Sequence, residues 1–147
     1  MPRYTSSIDI NASPRLVWTI LADVEQWPSW TPTMTAVTKL TPGRLGKGTA
    51  AHIVQPKLPR AVWRVTEIHE GRDFTWVSKM PGLRVTATHA IQSTATGARV
   101  TLSIRMTGVF SPVAALFISR LNTRYLMTEA RSLKARCEEP AEAPVAK

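Results

Sequence analysis

Between Met34 and Thr107 the chain divides into six short segments that read as strands: Met34–Leu40, Gly48–Gln55, Arg60–His69, Phe74–Lys79, Leu83–Ser93 and Arg99–Thr107. Turn chemistry separates them. Pro42-Gly43 ends the first, Glu70-Gly71-Arg72-Asp73 closes a hairpin, and Thr94–Ala98 closes the last one. Pro81-Gly82 suits a type II turn, with proline presetting φ and glycine supplying the positive φ that the next position needs. Strands joined in this way predict an antiparallel, meander-like sheet, and Arg3–Ile10, which alternates weakly, adds a first strand to it. Such a sheet has one apolar face that must be covered.

The sequence offers one large element to cover it. Ser111-Pro112 opens a helix running to about Cys137. Its apolar stripe drifts, early through Ala114, Phe117, Leu121 and Tyr125 and later through Leu126, Ala130 and Leu133, which predicts a bend or two halves facing different neighbours. After the first strand, Ser13 is a good N-cap with Pro14 behind it, and Val17, Ile20, Leu21 and Val24 recur at helical spacing. Pro28 and Pro32 then restrict any second helix to a short piece, with Trp27 and Trp30 in an irregular corner. The expected fold is α+β: a curved antiparallel sheet wrapped around the long C-terminal helix, with two short helices after the first strand. A curved sheet around one helix leaves space between them, a natural ligand cavity. Residues 1–138 form a single domain in this reading, and the polar, proline-containing residues 139–147 form a tail expected to be disordered.

Composition narrows the function classes. An apolar fraction of 44% is ordinary for a globular domain, and a single cysteine, Cys137, excludes an intramolecular disulfide. No stretch resembles a signal peptide or a membrane span, so a cytoplasmic location is expected. The net charge of +9 permits attraction to nucleic acid, anionic lipid or acidic proteins. The cations are scattered and aromatics are not interleaved with them, so no nucleic-acid partner is expected. Arg120, Arg124 and Arg131 share one face of the long helix, either a solvated face or a docking surface for a membrane or partner. His52, His69 and His89 lack metal-ligand spacing, and neither a metal nor another cofactor is expected. GRLGKGT fails as a phosphate loop, because Gly48 rather than Ser or Thr follows Lys47 and the spacing from Gly43 is too short, and no G-x-S-x-G elbow occurs.

The candidate site residues come from strand phase. In RVTATHAIQ, alternation places His89 with Val85, Ala87 and Ile91 on an otherwise apolar face. An imidazole there can be a proton carrier, a ligand contact or a satisfied core side chain. Trp63, and Phe74 with Trp76 and Ser78 on the next strand, are expected on the same side as cavity walls or plain core. His52 lines the cavity if its face is inward. Glu67 is in or out according to whether a bulge precedes the turn. In QPKLPRAVW, Pro56 and Pro59 hold Leu58 between Lys57 and Arg60, either as a rigid surface loop or as a lid residue whose two flanking cations meet an acidic ligand head group. On the long helix, Phe117 and Leu121 are expected to face the ligand, and Tyr125 is a second candidate proton donor.

The order of elements resembles the SRPBCC superfamily (START-like, Bet v 1-like), and within it the polyketide cyclase/dehydrase-like proteins. The resemblance rests on IDINASPRLVWTILADVEQWPSW, VWRVTEIHEGRDFTWVSKMPGL and THAIQSTATGARVTLSIRMTG and covers Ile8 to about Glu138. It implies a helix-grip fold with a deep apolar cavity, and it allows a homodimer. The superfamily fixes a fold better than a reaction. Three readings therefore stand. The first is a binding protein or carrier for a small hydrophobic molecule, whether lipid, isoprenoid or polyketide-like. The second is a cyclase/dehydrase-type enzyme using His89 as general acid/base, assisted by Tyr125 or Ser78. The third is a basic adaptor acting through its arginine face.

Overall fold

The computed structural model describes residues 3–139, so all of the expected tail except Glu139 lies outside the described residues. Seven strands form one antiparallel sheet: β1 (Arg3–Ile10), β2 (Ala36–Lys39), β3 (Ala50–Val54), β4 (Ala61–His69), β5 (Asp73–Met80), β6 (Leu83–Ser93) and β7 (Ala98–Thr107). Their order is β1-β7-β6-β5-β4-β3-β2: a meander from β2 to β7, with β1 added beyond β7. Helix α1 (Pro14–Ala22) and a short 3-10 helix (Val24–Ser29) follow β1, and α2 (Ser111–Cys137) ends the domain. This is the helix-grip architecture. Ser13 caps α1 by accepting from the Leu16 N–H at 3.1 Å. The β4–β5 register shifts between Val65 and Glu67, which leaves Glu67 exposed and lets Ile68 pack against the core.

The core runs beneath the whole sheet, from Ile10, Val100 and Leu102 through Phe74 and Trp76 to Val37 and Ile53. Along α2, Leu126, Ala130, Leu133 and Cys137 seal one end of it. The inward positions of α2 continue toward its start through Asn122 and Ile118 in helical register. The apparent drift of the stripe has a simple origin: polar Asn122 and Glu129 occupy inward positions, while apolar Phe117 points outward.

The passage from β7 into α2 depends on close backbone contact. Gly108 takes φ +106°, and a Cβ there would lie 2.5 Å from the Gly82 carbonyl oxygen. The Phe110 N–H donates to that same oxygen at 2.9 Å. Gly108→Ala is therefore expected to cost on the order of 2 kcal/mol, from the left-handed backbone and the contact together. A urea midpoint unchanged from wild type would contradict this.

Candidate functional site

Each inward strand residue follows from the register. Phe74 pairs with His89 across β5 and β6, Trp76 with Ala87, and Ser78 with Val85, so one face carries Trp63 of β4, Trp76 and Ser78 of β5, and Val85, Ala87 and His89 of β6. Opposite them α2 presents Ile118, Asn122, Tyr125, Leu126 and Glu129. Trp27 from the 3-10 helix, Met34 and Ile53 close one side, and Leu58 with Pro59 from the β3–β4 loop closes another. These residues enclose a cavity of about 280 Å³, near the lower end of the ~300–1,000 Å³ usual for small-molecule sites.

The wall is aromatic and almost dry of polar partners. Trp27 lies 5.3 Å from Trp76 and 5.4 Å from His89 between ring centroids, and Trp63 lies 5.9 Å from Trp76. His89 stacks on Phe74 at 4.3 Å with an interplanar angle of 11°. Its Nδ1 is buried without a hydrogen-bond partner among the described residues, as is the indole Nε1 of Trp63. Burial depresses the His89 pKa to about 4, and the nearby Phe74 backbone offsets only part of that effect. The ring is therefore neutral at neutral pH.

Among the described residues, Glu129 is the only carboxylic acid in the wall, and no Lys or Arg joins it there. It is buried and, among the described residues, has neither an ion pair nor a hydrogen bond. Burial alone pushes its pKa up to about 7. The sequence reading missed it, although a signal was present. A lone glutamate sits between Leu126, Ala130 and Leu133 at a helical position that has to face inward.

Other expected residues fall elsewhere. His52 faces away from the cavity, because the inward parity of β3 belongs to Ala51 and Ile53. Phe117 is exposed and Leu121 lies outside the wall, both displaced by the register of Ile118 and Asn122. Phe74 and Ile91 are inward but belong to the packed core beneath His89 rather than to the open wall. Leu58, Trp63, Trp76 and Tyr125 do line the cavity. The Tyr125 hydroxyl donates to the Pro56 carbonyl, tying α2 to the β3–β4 loop, so its proton is committed there and no hydrogen bond joins it to His89. Cys137 is buried at the far end of α2 with its thiol pKa raised by burial to about 11, and it takes no part in the wall. No cluster of metal-ligating side chains occurs among the described residues.

An antiparallel sheet gripping one helix around an apolar cavity defines the class: a helix-grip, cavity-bearing domain. The chain belongs to the polyketide cyclase/dehydrase and lipid transport family, whose model matches residues 1–138. Solved structures share the fold at low identity. A hypothetical protein of Helicobacter pylori is similar with a TM-score of 0.79 at 12% identity, over 92% of this chain and 88% of that one. An aromatase/cyclase of a Streptomyces species is similar at TM-score 0.75 and 13% identity, over 93% of each chain. A Thermus thermophilus protein gives 0.73 at 17% identity, over 92% of this chain and 97% of that one. No match was found among curated proteins. Among the described residues no helix is long and apolar enough to cross a membrane.

Proposed function

We propose that the protein binds a small, neutral, hydrophobic molecule in this cavity and acts as its carrier or receptor. The observation that carries the reading is the aromatic wall of Trp27, Trp63 and Trp76 around an open space with unpartnered polar atoms in it. The Trp63 N–H seeks an acceptor, and a ligand carbonyl or hydroxyl oxygen would supply it. A carboxylate pushed fully inside would meet Glu129 and no cation, which favours neutral isoprenoid, quinone or aromatic ligands over fatty acids. Titration with such a panel, followed by tryptophan fluorescence, should give saturable quenching by neutral ligands. His89→Ala should weaken it about 3- to 10-fold, the scale of one lost hydrogen bond and its stacking surface. A linear, non-saturating response to every neutral ligand would refute the reading.

A second reading, cyclase/dehydrase-type chemistry, is favoured by one observation: two buried titratable groups in the same cavity wall. His89 is held neutral, and Glu129 is poised to exchange its proton near neutrality. It predicts that Glu129→Gln abolishes product formation from a poly-ketone substrate, measured by mass spectrometry, while binding persists.

A further inference from the structure

The start of α2 exposes what a soluble helix normally hides. Val109 is 80% exposed, Leu116 78% and Phe117 79%, and Phe110 and Val113 are each more than half exposed. Spacings of three and four residues place Val113, Leu116 and Phe117 on the outer side of the helix, opposite Ile118 and Asn122, and Val109 and Phe110 lie in the turn that leads into it. Phe110 crosses Gly82, at the β5–β6 turn, where an added Cβ would enter its ring. Met80 beside that turn is itself exposed and also lines the cavity. The exposed apolar cluster therefore adjoins the end of the cavity formed by Met80, Leu83 and Ile118.

Charge is distributed unevenly around this cluster. No Asp or Glu occurs between Asp73 and Glu129, nor between Glu25 and Glu67. The exposed acids Glu67 and Glu70 lie at the β4–β5 hairpin, and Asp9 and Glu138 lie where β1 and α2 end. The antiparallel sheet places all of them at the end opposite the β5–β6 turn. The ion pairs among the described residues are there too, Arg44–Glu70, Arg99–Asp9 and Lys134–Glu138, with the His69–Asp73 side-chain hydrogen bond beside them. Around the apolar cluster stand only cations: Lys57 and Arg60 on the β3–β4 loop, Lys79 and Arg84 flanking the β5–β6 turn, and Arg120 and Arg124 on α2. All six are exposed, and among the described residues none is in an ion pair.

We propose that this end of the molecule docks on an anionic lipid bilayer, inserting the apolar start of α2 at the headgroup boundary with the surrounding cations on the lipid phosphates. Apolar side chains ringed by Lys and Arg are the pattern that binds such a surface by burial plus electrostatic attraction. The same ring argues against a second copy as occupant. A two-fold contact through this end would press six unpaired cations against six more with no acid to meet them. Docked this way, the Met80–Leu83–Ile118 end of the cavity faces the bilayer. Docking requires no ligand in the cavity, so it is separable from the binding function.

The test is co-sedimentation of the full chain with phosphatidylcholine vesicles, with and without phosphatidylglycerol. Binding is expected to the anionic vesicles, at least about tenfold tighter than to the neutral ones, and to fall with salt. Leu116→Ser/Phe117→Ser should abolish it while all cations remain, and Arg120→Glu/Arg124→Glu should weaken it about tenfold or more. All four positions are solvent-exposed or on the outer helix face, so thermal unfolding should match wild type and provide the folding control. Equal binding to neutral vesicles, no binding to anionic ones, or binding indifferent to the Leu116/Phe117 pair would overturn the proposal. So would a lipid-free dimer that the same pair of substitutions converts to monomer.

Discussion

Trp27→Ala is expected to be the most damaging single substitution, lowering stability by about 4 kcal/mol. The indole is fully buried and centres the aromatic cluster, with Trp30, Phe74, Trp76 and His89 all within 6.4 Å between ring centroids. Its Nε1 also donates to the Leu21 carbonyl at 3.0 Å, which fastens the 3-10 helix to the end of α1. Alanine removes the packing, enlarges the neighbouring cavity and leaves that carbonyl without a side-chain donor. At this chain length the loss corresponds to roughly 10–15 °C in melting temperature. Two comparisons separate the causes. Trp27→Phe keeps most of the surface and should cost about 1–2 kcal/mol, largely the hydrogen bond and the smaller ring. Trp63→Ala should cost about 2 kcal/mol, because that indole already borders open space and its N–H has no partner to lose. Denaturant midpoints placing Trp63→Ala at or below Trp27→Ala would show that the cluster is not centred on Trp27.

Much of this architecture was legible in the residues. The sheet could be read because most strands alternate and each turn has its own chemistry, as where Pro81-Gly82 turns with a positive φ at glycine; the bulge ahead of Glu67 was only one of two options in the sequence, and the register shift between Val65 and Glu67 decides it. The phase of His89 was legible for the same reason, since three apolar neighbours at period two fix its side. His52 was not, because Ala50 and Ala51 are both buried and both small, so neither parity stands out. The long helix misled in a more informative way. Hydrophobicity marks its inward face only where burial is what each position serves. Asn122 and Glu129 take inward positions at the cavity, and Leu116 and Phe117 take outward ones. Pattern reading therefore moved the stripe onto Phe117 and Leu121. The places where local pattern and fold disagree are the cavity wall and the exposed apolar end, the two surfaces to which a function is assigned here.

The cavity's two buried titratable groups should oppose each other in the pH dependence of stability. Glu129 has a folded pKa raised from 4.5 to about 7, so the folded state holds the proton more tightly than the unfolded chain. Its contribution is fully present below about pH 4.5 and is lost as pH rises through 7. His89 has a folded pKa lowered from 6.5 to about 4, so the unfolded chain takes up the proton first. Its contribution is fully present above pH 6.5 and is lost as pH falls through 4. Each shift corresponds to on the order of 3 kcal/mol. The slopes have opposite signs and overlap between about pH 4.5 and 6.5, so in the wild type they largely cancel there. Single substitutions remove one slope and expose the other. Glu129→Gln should gain stability as pH rises from 4 to 6.5 and stay level to pH 8, where it should exceed wild type by on the order of 3 kcal/mol. His89→Gln, whatever its absolute stability, should lose stability as pH rises from 4.5 to 7. Urea midpoints across that range measure both, and the slope is the readout. If wild type and Glu129→Gln instead ran parallel from pH 5 to 8, the carboxyl would titrate alike in the folded and unfolded states and would be ionised and solvated in the folded protein at neutral pH. A charged, hydrated wall would then argue against the neutral ligand proposed for the cavity.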